Sequence, residues 1–177
     1  MKKMVQKIQK DFMKDRSIIV ILIILAVILV TNQYITYKGT QSINDNILSS
    51  MGITDNNFEQ AIRKELDKEK ESISLTDIKK IKHLDLSNSD ITSIEGIEYF
   101  YNLESLNLSN NRIRNISPLK GLNKLEVLDL QGNKIKKADS LKSLTQLRKL
   151  NLSNNKINGI DFLQKLVNVE ELYLRDN

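Results

Sequence analysis

The chain has 177 residues, with 27 Lys and Arg against 22 Asp and Glu, a net charge of +5, one histidine and no cysteine. The lack of cysteine excludes a disulfide framework and thiol chemistry, and a single imidazole excludes most His-based metal and nucleophile sites. The positive charge is local: Lys2, Lys3, Lys7, Lys10, Lys14 and Arg16 against Asp11 and Asp15 put +4 in the first sixteen residues and leave +1 for all the rest. The basic balance therefore marks a tail and not a nucleic-acid surface, and no nucleic-acid partner is expected.

Residues 1–16 read as a basic tail, and Ile18 to Val30 is an unbroken apolar run of 13 residues. A basic segment followed by a short apolar core is the pattern of a signal peptide. The small-x-small cleavage pair is missing, however: the first small pair at that spacing, Thr40 and Ser42, lies too far downstream. Thirteen helical residues span roughly 20 Å, short of a hydrocarbon core of about 30 Å. Extending the segment to residues 17–37 gives about 20 residues and brings in Tyr34 and Tyr37, which suit the membrane interface. The preferred reading is an uncleaved single-pass signal-anchor with the N-terminus cytoplasmic and the remainder outside. A cleaved signal peptide and a secreted product form the alternative. Residues 38–50, with Gly39 and a run of Ser, Thr, Asn and Gln, read as a linker.

Residues 51–80 carry a helical pattern. Phe58, Ile62 and Leu66 recur on one face, and Asn56 with Glu59 suggests a capping-box start with Asn in the capping place. A second, shorter helical turn is expected around Thr76–Ile81. A helical piece directly before a repeat array is where such an array needs a lid over its first core edge.

From residue 81 the chain repeats every 22 residues. Leu84, Leu106, Leu128, Leu150 and Leu172 form one column and Leu86, Leu108, Leu130, Leu152 and Leu174 another. Further columns are Ile81, Leu103, Leu125, Leu147 and Val169; Ile91, Ile113, Ile135 and Ile157; and Ile94, Ile116, Ala138 and Ile160. Ile97, Leu119, Leu141 and Leu163 precede Phe100, Leu122, Leu144 and Leu166. Asn111, Asn133, Asn155 and Asn177 make an amide column, with Ser89 as the exception in the first register.

L-x-L alternation puts both leucines on one face of a short strand. An amide both donates and accepts, so the Asn column suits a buried ladder that satisfies backbone groups where the chain leaves the strand. On the outer side the period is three and Pro118 stands near the start, which indicates short 3₁₀ turns.

A fixed period of 22 with an L-x-x-L-x-L-x-x-N core is the pattern of leucine-rich repeats. The run IEGIEYFYNLESLNLSNNRIRNISPLKGLNKLEVLDLQGNKI resembles the bacterial internalin family, and NNFEQAIRKEL with ISLTDIKKIKHLDLS resembles the helical N-terminal cap of those proteins. The resemblance covers about residues 51–177. It implies an α/β solenoid, with parallel strands on a concave face, 3₁₀ turns on the convex face, a helical cap over 51–80, and repeats over 81–177. Four repeats are complete and the fifth stops at its Asn.

It further implies a surface-displayed protein of a Gram-positive bacterium that binds a protein partner through the concave face. The sequence shows no immunoglobulin-like domain, LPXTG signal or GW module, so a role in host invasion is not carried over. The fifth register stops at Asn177. It reads as the end of a truncated remnant or fragment with no function of its own, as an uncapped surface for end-to-end self-association, or as the frayed end of a short functional product.

No GxxxxGK[ST], GxSxG or HExxH motif occurs, so no catalytic residue, metal or cofactor is expected. Candidate partner-binding residues are those that alternate with the leucines on the strands. They are His83 and Asp85, Ser105 and Asn107, Val127 and Asp129, Lys149 and Asn151, and finally Glu171, Tyr173 and Arg175. Ser87, Ser109, Gln131 and Ser153 share the same outward spacing. Interface hot spots favour Trp, Tyr and Arg, which here means Tyr173 and Arg175.

Overall fold

The computed structural model describes residues 27–31, 33 and 47–177. The chain divides into two units, Met1–Ile43 and Asn44–Asn177. In the first, residues 27–31 are helical, and Val27, Ile28, Leu29 and Val30 are exposed. Among the described residues no helix is long and apolar enough to cross a membrane. Most of the expected anchor, residues 17–37, lies outside the described residues, as do the basic tail and most of the 38–50 linker.

The second unit opens with three helices: α1 (Ile47–Ser50), α2 (Asn56–Glu65) and α3 (Leu75–Lys80). Phe58 and Ile62 of α2 and Ile78 of α3 are buried, as the helical spacing requires. The start of α2 differs from the sequence expectation. The capping residue is Asp55, not Asn56, and its Oδ1 accepts from the Phe58 N–H at 3.0 Å. Glu59 instead bonds forward to Arg63 Nε at 2.9 Å.

The capping box belongs to α3. There the Ser74 hydroxyl accepts from the Asp77 N–H, and the Asp77 carboxylate accepts from the Ser74 N–H and from Lys68 Nζ. The Lys68 ammonium is the main reason the Asp77 carboxyl is held far below the usual aspartate range; the Ser74 hydrogen bonds add to it.

Five three-residue strands follow: β1 (His83–Asp85), β2 (Ser105–Asn107), β3 (Val127–Asp129), β4 (Lys149–Asn151) and β5 (Glu171–Tyr173). They form one parallel sheet in sequence order, each pairing with the residue 22 positions on. Opposite them run four 3₁₀ turns, Ile97–Tyr99, Ser117–Gly121, Asp139–Ser143 and Asp161–Lys165, the second with Pro118 in its first turn. This is the expected solenoid. The leucine, isoleucine and phenylalanine columns meet in one core that continues into Phe58, Ile62 and Ile78 of the helices.

The amide column works as a ladder. The Asn133 amide donates to Leu108 O (2.9 Å), Leu130 O (3.0 Å) and Gln131 O (3.3 Å), and its Oδ1 accepts from the Ile113 N–H at 3.0 Å. Asn111, Asn155 and Asn177 repeat the arrangement at 22-residue intervals along the column. The residue just before each Asn or Ser of this column has a left-handed backbone: Asn88, Asn110, Gly132, Asn154 and Asp176. Short polar residues and glycine are the types that tolerate this conformation. At Gly132 a Cβ would also lie 2.6 Å from Asn110 Oδ1.

Burial departs from the column pattern in the fourth and fifth registers. Leu172 is 41% exposed and Ile160 59%, although their counterparts Leu128 and Ala138 are buried. A column residue is covered by rungs on both sides, and β5 is paired with β4 alone. Phe162 shows the opposite departure: it is buried where the earlier repeats carry Gly96, Pro118 and Ser140.

Besides the shared core, the helices and the first repeat are joined by polar contacts, among them Asn57 Nδ2 to Asp90 O at 3.2 Å and Asn102 Nδ2 to Lys79 O at 2.8 Å. Asp55 Oδ2 accepts from the Thr92 hydroxyl (2.6 Å), the Thr92 N–H (2.8 Å) and the Ser93 N–H (3.0 Å). Gly96, in a left-handed conformation, faces Ile53; a Cβ there would overlap the Ile53 side chain and lie 3.0 Å from Met51 O.

Candidate functional site

The sheet lays the outward residues in three rows, because the parallel register puts residue i beside residue i+22. The first row is His83, Ser105, Val127, Lys149 and Glu171, and the second is Asp85, Asn107, Asp129, Asn151 and Tyr173. Arg175 ends the third, after Ser87, Ser109, Gln131 and Ser153. His83, Asp85, Lys149, Glu171, Tyr173 and Arg175 are exposed, while Ser105, Asn107, Val127, Asp129 and Asn151 are half-buried. Ser109 and Ser153 are buried, so two of the outward positions offer little to a partner.

The second row has structural work to do. Asp85, Asn107, Asp129 and Asn151 each accept, through Oδ1, from the backbone N–H two residues on, which turns the chain out of its strand. Successive rungs are then tied sideways. Asn107 Nδ2 donates to Asp85 Oδ2 at 3.0 Å, and Asn151 Nδ2 donates to Asp129 Oδ2 (3.2 Å) and Gln131 Oε1 (2.9 Å). Burial raises the Asp85 carboxyl, but hydrogen bonds from Ser87 and Asn107 outweigh it and leave the group below the ordinary aspartate value. The alternation of carboxylate and amide is thus a hydrogen-bonded lattice, with its polar groups already engaged.

The fifth rung breaks that lattice, since Tyr173 takes the place of an Asp or Asn. Its hydroxyl donates to Glu171 Oε2 at 3.0 Å, and Lys149 Nζ bonds the same oxygen at 2.8 Å. Lys149 Nζ also stands 5.8 Å from the Tyr173 ring centroid, within cation–π range. The Glu171 carboxylate raises the Lys149 pKa, and Lys149 foremost, then the Tyr173 hydroxyl, lowers that of Glu171. Arg175 Nε lies 3.3 Å from Asp176.

All of these groups but Glu171 border a depression of about 460 Å³ lined by Asp129, Gln131, Lys149, Asn151, Ser153, Asn154, Tyr173, Arg175 and Asp176. The structure thus gathers Asp129, Lys149, Asn151, Tyr173 and Arg175 in one place. His83, Asp85, Ser105, Asn107 and Val127 lie outside it, on the earlier rungs. Asn154 and Asp176 were not among the sequence candidates. The signal that marks them is the left-handed residue preceding each Asn of the ladder, which brings the chain corner to the rim. The arrangement offers an aromatic face, two cations and carboxylate and amide acceptors. Among the described residues no group of three or more His, Asp or Glu side chains is placed to hold a metal ion.

The profile of the family described as leucine-rich repeats (2 copies) matches residues 79–121, 101–143 and 145–177, together more than half of the chain. An internalin of Listeria monocytogenes is 34% identical, with a TM-score of 0.69, over 75% of this chain and 38% of its own. Internalin C2 of the same organism is 27% identical, with a TM-score of 0.55, over 73% of this chain and 66% of its own. A leucine-rich-repeat protein of Leptospira interrogans is 29% identical, with a TM-score of 0.54, over 58% and 27%. This chain therefore spans 38% of the first of these structures and 66% of the second. No curated protein matches it. With the 22-residue register, the Asn ladder and these likenesses in hand, the chain belongs to the leucine-rich-repeat family and is an internalin-like member of it.

Proposed function

We propose that this chain is a non-catalytic module that binds a protein partner on the concave face, centred on Lys149, Glu171, Tyr173 and Arg175. The observation that carries the proposal is the break in the polar lattice at the fifth rung. The second-row residues of the first four rungs are bonded to their own turns or to one another, whereas Tyr173 presents an aromatic face beside the depression. Tyr and Arg contribute most to interface hot spots, and a cation next to an aromatic ring gives such a spot both charge and apolar area. The area is that of a small or transient interface.

The reading extends to location: an N-terminal segment at 17–37 holds the chain in the membrane, with residues 1–16 inside and the repeats displayed on the surface. The exposed apolar helical residues 27–30 and the basic tail before them support it. One experiment addresses both parts. Intact cells carrying the full chain are treated with a membrane-impermeant photo-crosslinker placed at Tyr173 or, as a control, at Lys120 on a 3₁₀ turn. A partner adduct at Tyr173, absent at Lys120 and lost on Lys149→Glu with unchanged circular dichroism, is the expected result. Equal adducts at both positions would sink the concave-face assignment. No labelling of intact cells, with labelling after lysis, would sink surface display.

A further inference from the structure

Charge on the repeats is sorted between the flanks. On the flank where the chain enters the strands, both signs occur and pair across rungs: Lys82 pairs with Glu104 at 2.7 Å, and Arg148 reaches Glu126 at 3.8 Å and Glu170 at 3.1 Å. The opposite flank, just after the Asn ladder, carries cations on successive rungs. Arg112, Lys134 and Lys156 follow one another on successive rungs, set by backbone bonds from their N–H groups to Ile91 O, Ile113 O and Ile135 O. Arg114 and Lys136 form a second row beside them, and Lys137 adds a sixth cation.

All six are exposed. Among the described residues, Arg112 alone of the six has an ion-pair partner, Asp90 at 2.8 Å. The stretches 112–117, 134–139 and 156–161 hold these six cations against two carboxylates, Asp139 and Asp161, a local charge of +4. The near-neutral balance of residues 17–177 conceals this. Rungs stand about 4.8 Å apart, so like charges are stacked at close range and repel unless an anion lies across them.

We propose that this flank binds a linear phosphate polymer laid along the rungs. The same stretches contain no Phe, Tyr or Trp, so nothing there stacks on a nucleic-acid base. Ile160 is their one exposed apolar side chain, which gives neither the aromatic anchors of a protein hot spot nor an apolar face to enter a membrane. Regularly spaced cations, four of them lysines acting as point charges, recognise regularly spaced anions and gain affinity from released counterions. This surface is distinct from the concave face, and its failure would leave the Tyr173 reading intact.

The test is titration of the full-length chain with long-chain inorganic polyphosphate at several salt concentrations, against a Lys134→Gln, Lys136→Gln, Lys137→Gln variant. The basic residues 1–16 are the same in both proteins and cancel in the comparison. Binding that weakens at least tenfold in the variant, with the slope of log affinity against log salt reduced by about 2, is expected. An Arg112→Gln, Arg114→Gln variant serves if the triple change unfolds the chain, and Tyr173→Ala should bind as the wild type does. Equal binding by wild type and variants would overturn the proposal. So would binding of phosphatidylglycerol vesicles without the free polymer, or of poly-glutamate as tightly as of polyphosphate.

Discussion

Asn133 stands where the chain leaves β3, and its one side chain serves four backbone groups from two rungs. An alanine there would strand the Ile113 N–H in a core that water does not reach, and would leave the Leu108 and Leu130 carbonyls with one amide donor each, from Asn111 and Asn155. Each buried group left unpaired costs about 1–3 kcal/mol. Asn133→Ala is therefore expected to lower unfolding free energy by about 2 kcal/mol in urea denaturation, while Lys134→Ala, one residue on and exposed, stays within about 0.5 kcal/mol. A loss at Asn133 no larger than at Lys134 would show that the ladder is decorative.

This column was legible in the sequence because an environment repeated every 22 residues selects the same side chain each time. The second row was legible as polar, but its bonding was not. Asp and Asn suit an open surface as well as they suit an Asx turn, and only the register shows Asn107 facing Asp85.

At the scale of elements, one carboxylate takes most of the hydrogen bonds across the seam between α2 and the first repeat, with Asn57 adding one to Asp90 O. Asp55 caps α2 with one oxygen and holds Thr92 and Ser93 with the other. Sequence reasoning favoured Asn56 because it sees the local Asn-x-x-Glu spacing and cannot see a partner 37 residues away. Gly96 is explained by the same seam: in the first repeat its place is filled by Ile53 from the helical segment, where later repeats have Pro118, Ser140 and Phe162.

Burial pushes the Asp55 carboxyl up, but hydrogen bonds from Thr92, Phe58 and Ser93 outweigh that and hold it below the ordinary value. A group with a lowered folded-state pKa stabilises fully above its unfolded value, near 4, and loses the contribution as pH falls through the folded value. Asp55→Ala should cost about 1–2 kcal/mol at pH 7 through the lost cap and its tertiary bonds. In paired denaturation curves that difference should stay level down to about pH 5 and close below pH 4. A gap that widens on acidification would show that the wild-type carboxyl is not the group responsible.

Over the whole molecule, each repeat is stabilised by its neighbours, so the cost of one substitution depends on how many rungs cover it. Leu128 and Leu172 occupy the same column and the same place in their strands. Leu128 is fully buried, between β2 and β4; Leu172 is 41% exposed and pairs toward β4 alone. Aspartate at 128 would put an unpaired carboxylate into the continuous core, at a cost of several kcal/mol, comparable to the stability of a domain of this size. Aspartate at 172 can turn its carboxylate to water. Leu128→Asp is expected to abolish the cooperative thermal transition of the 177-residue chain, and Leu172→Asp to leave it within a few degrees of wild type.

Amide hydrogen exchange on the second variant would locate the remaining loss. Faster exchange confined to β5 and the Asp161–Lys165 turn fits coupling between neighbours. Uniform acceleration back to α2 would mean that the sheet and the helical segment unfold as one unit, and the neighbour description would have to be abandoned.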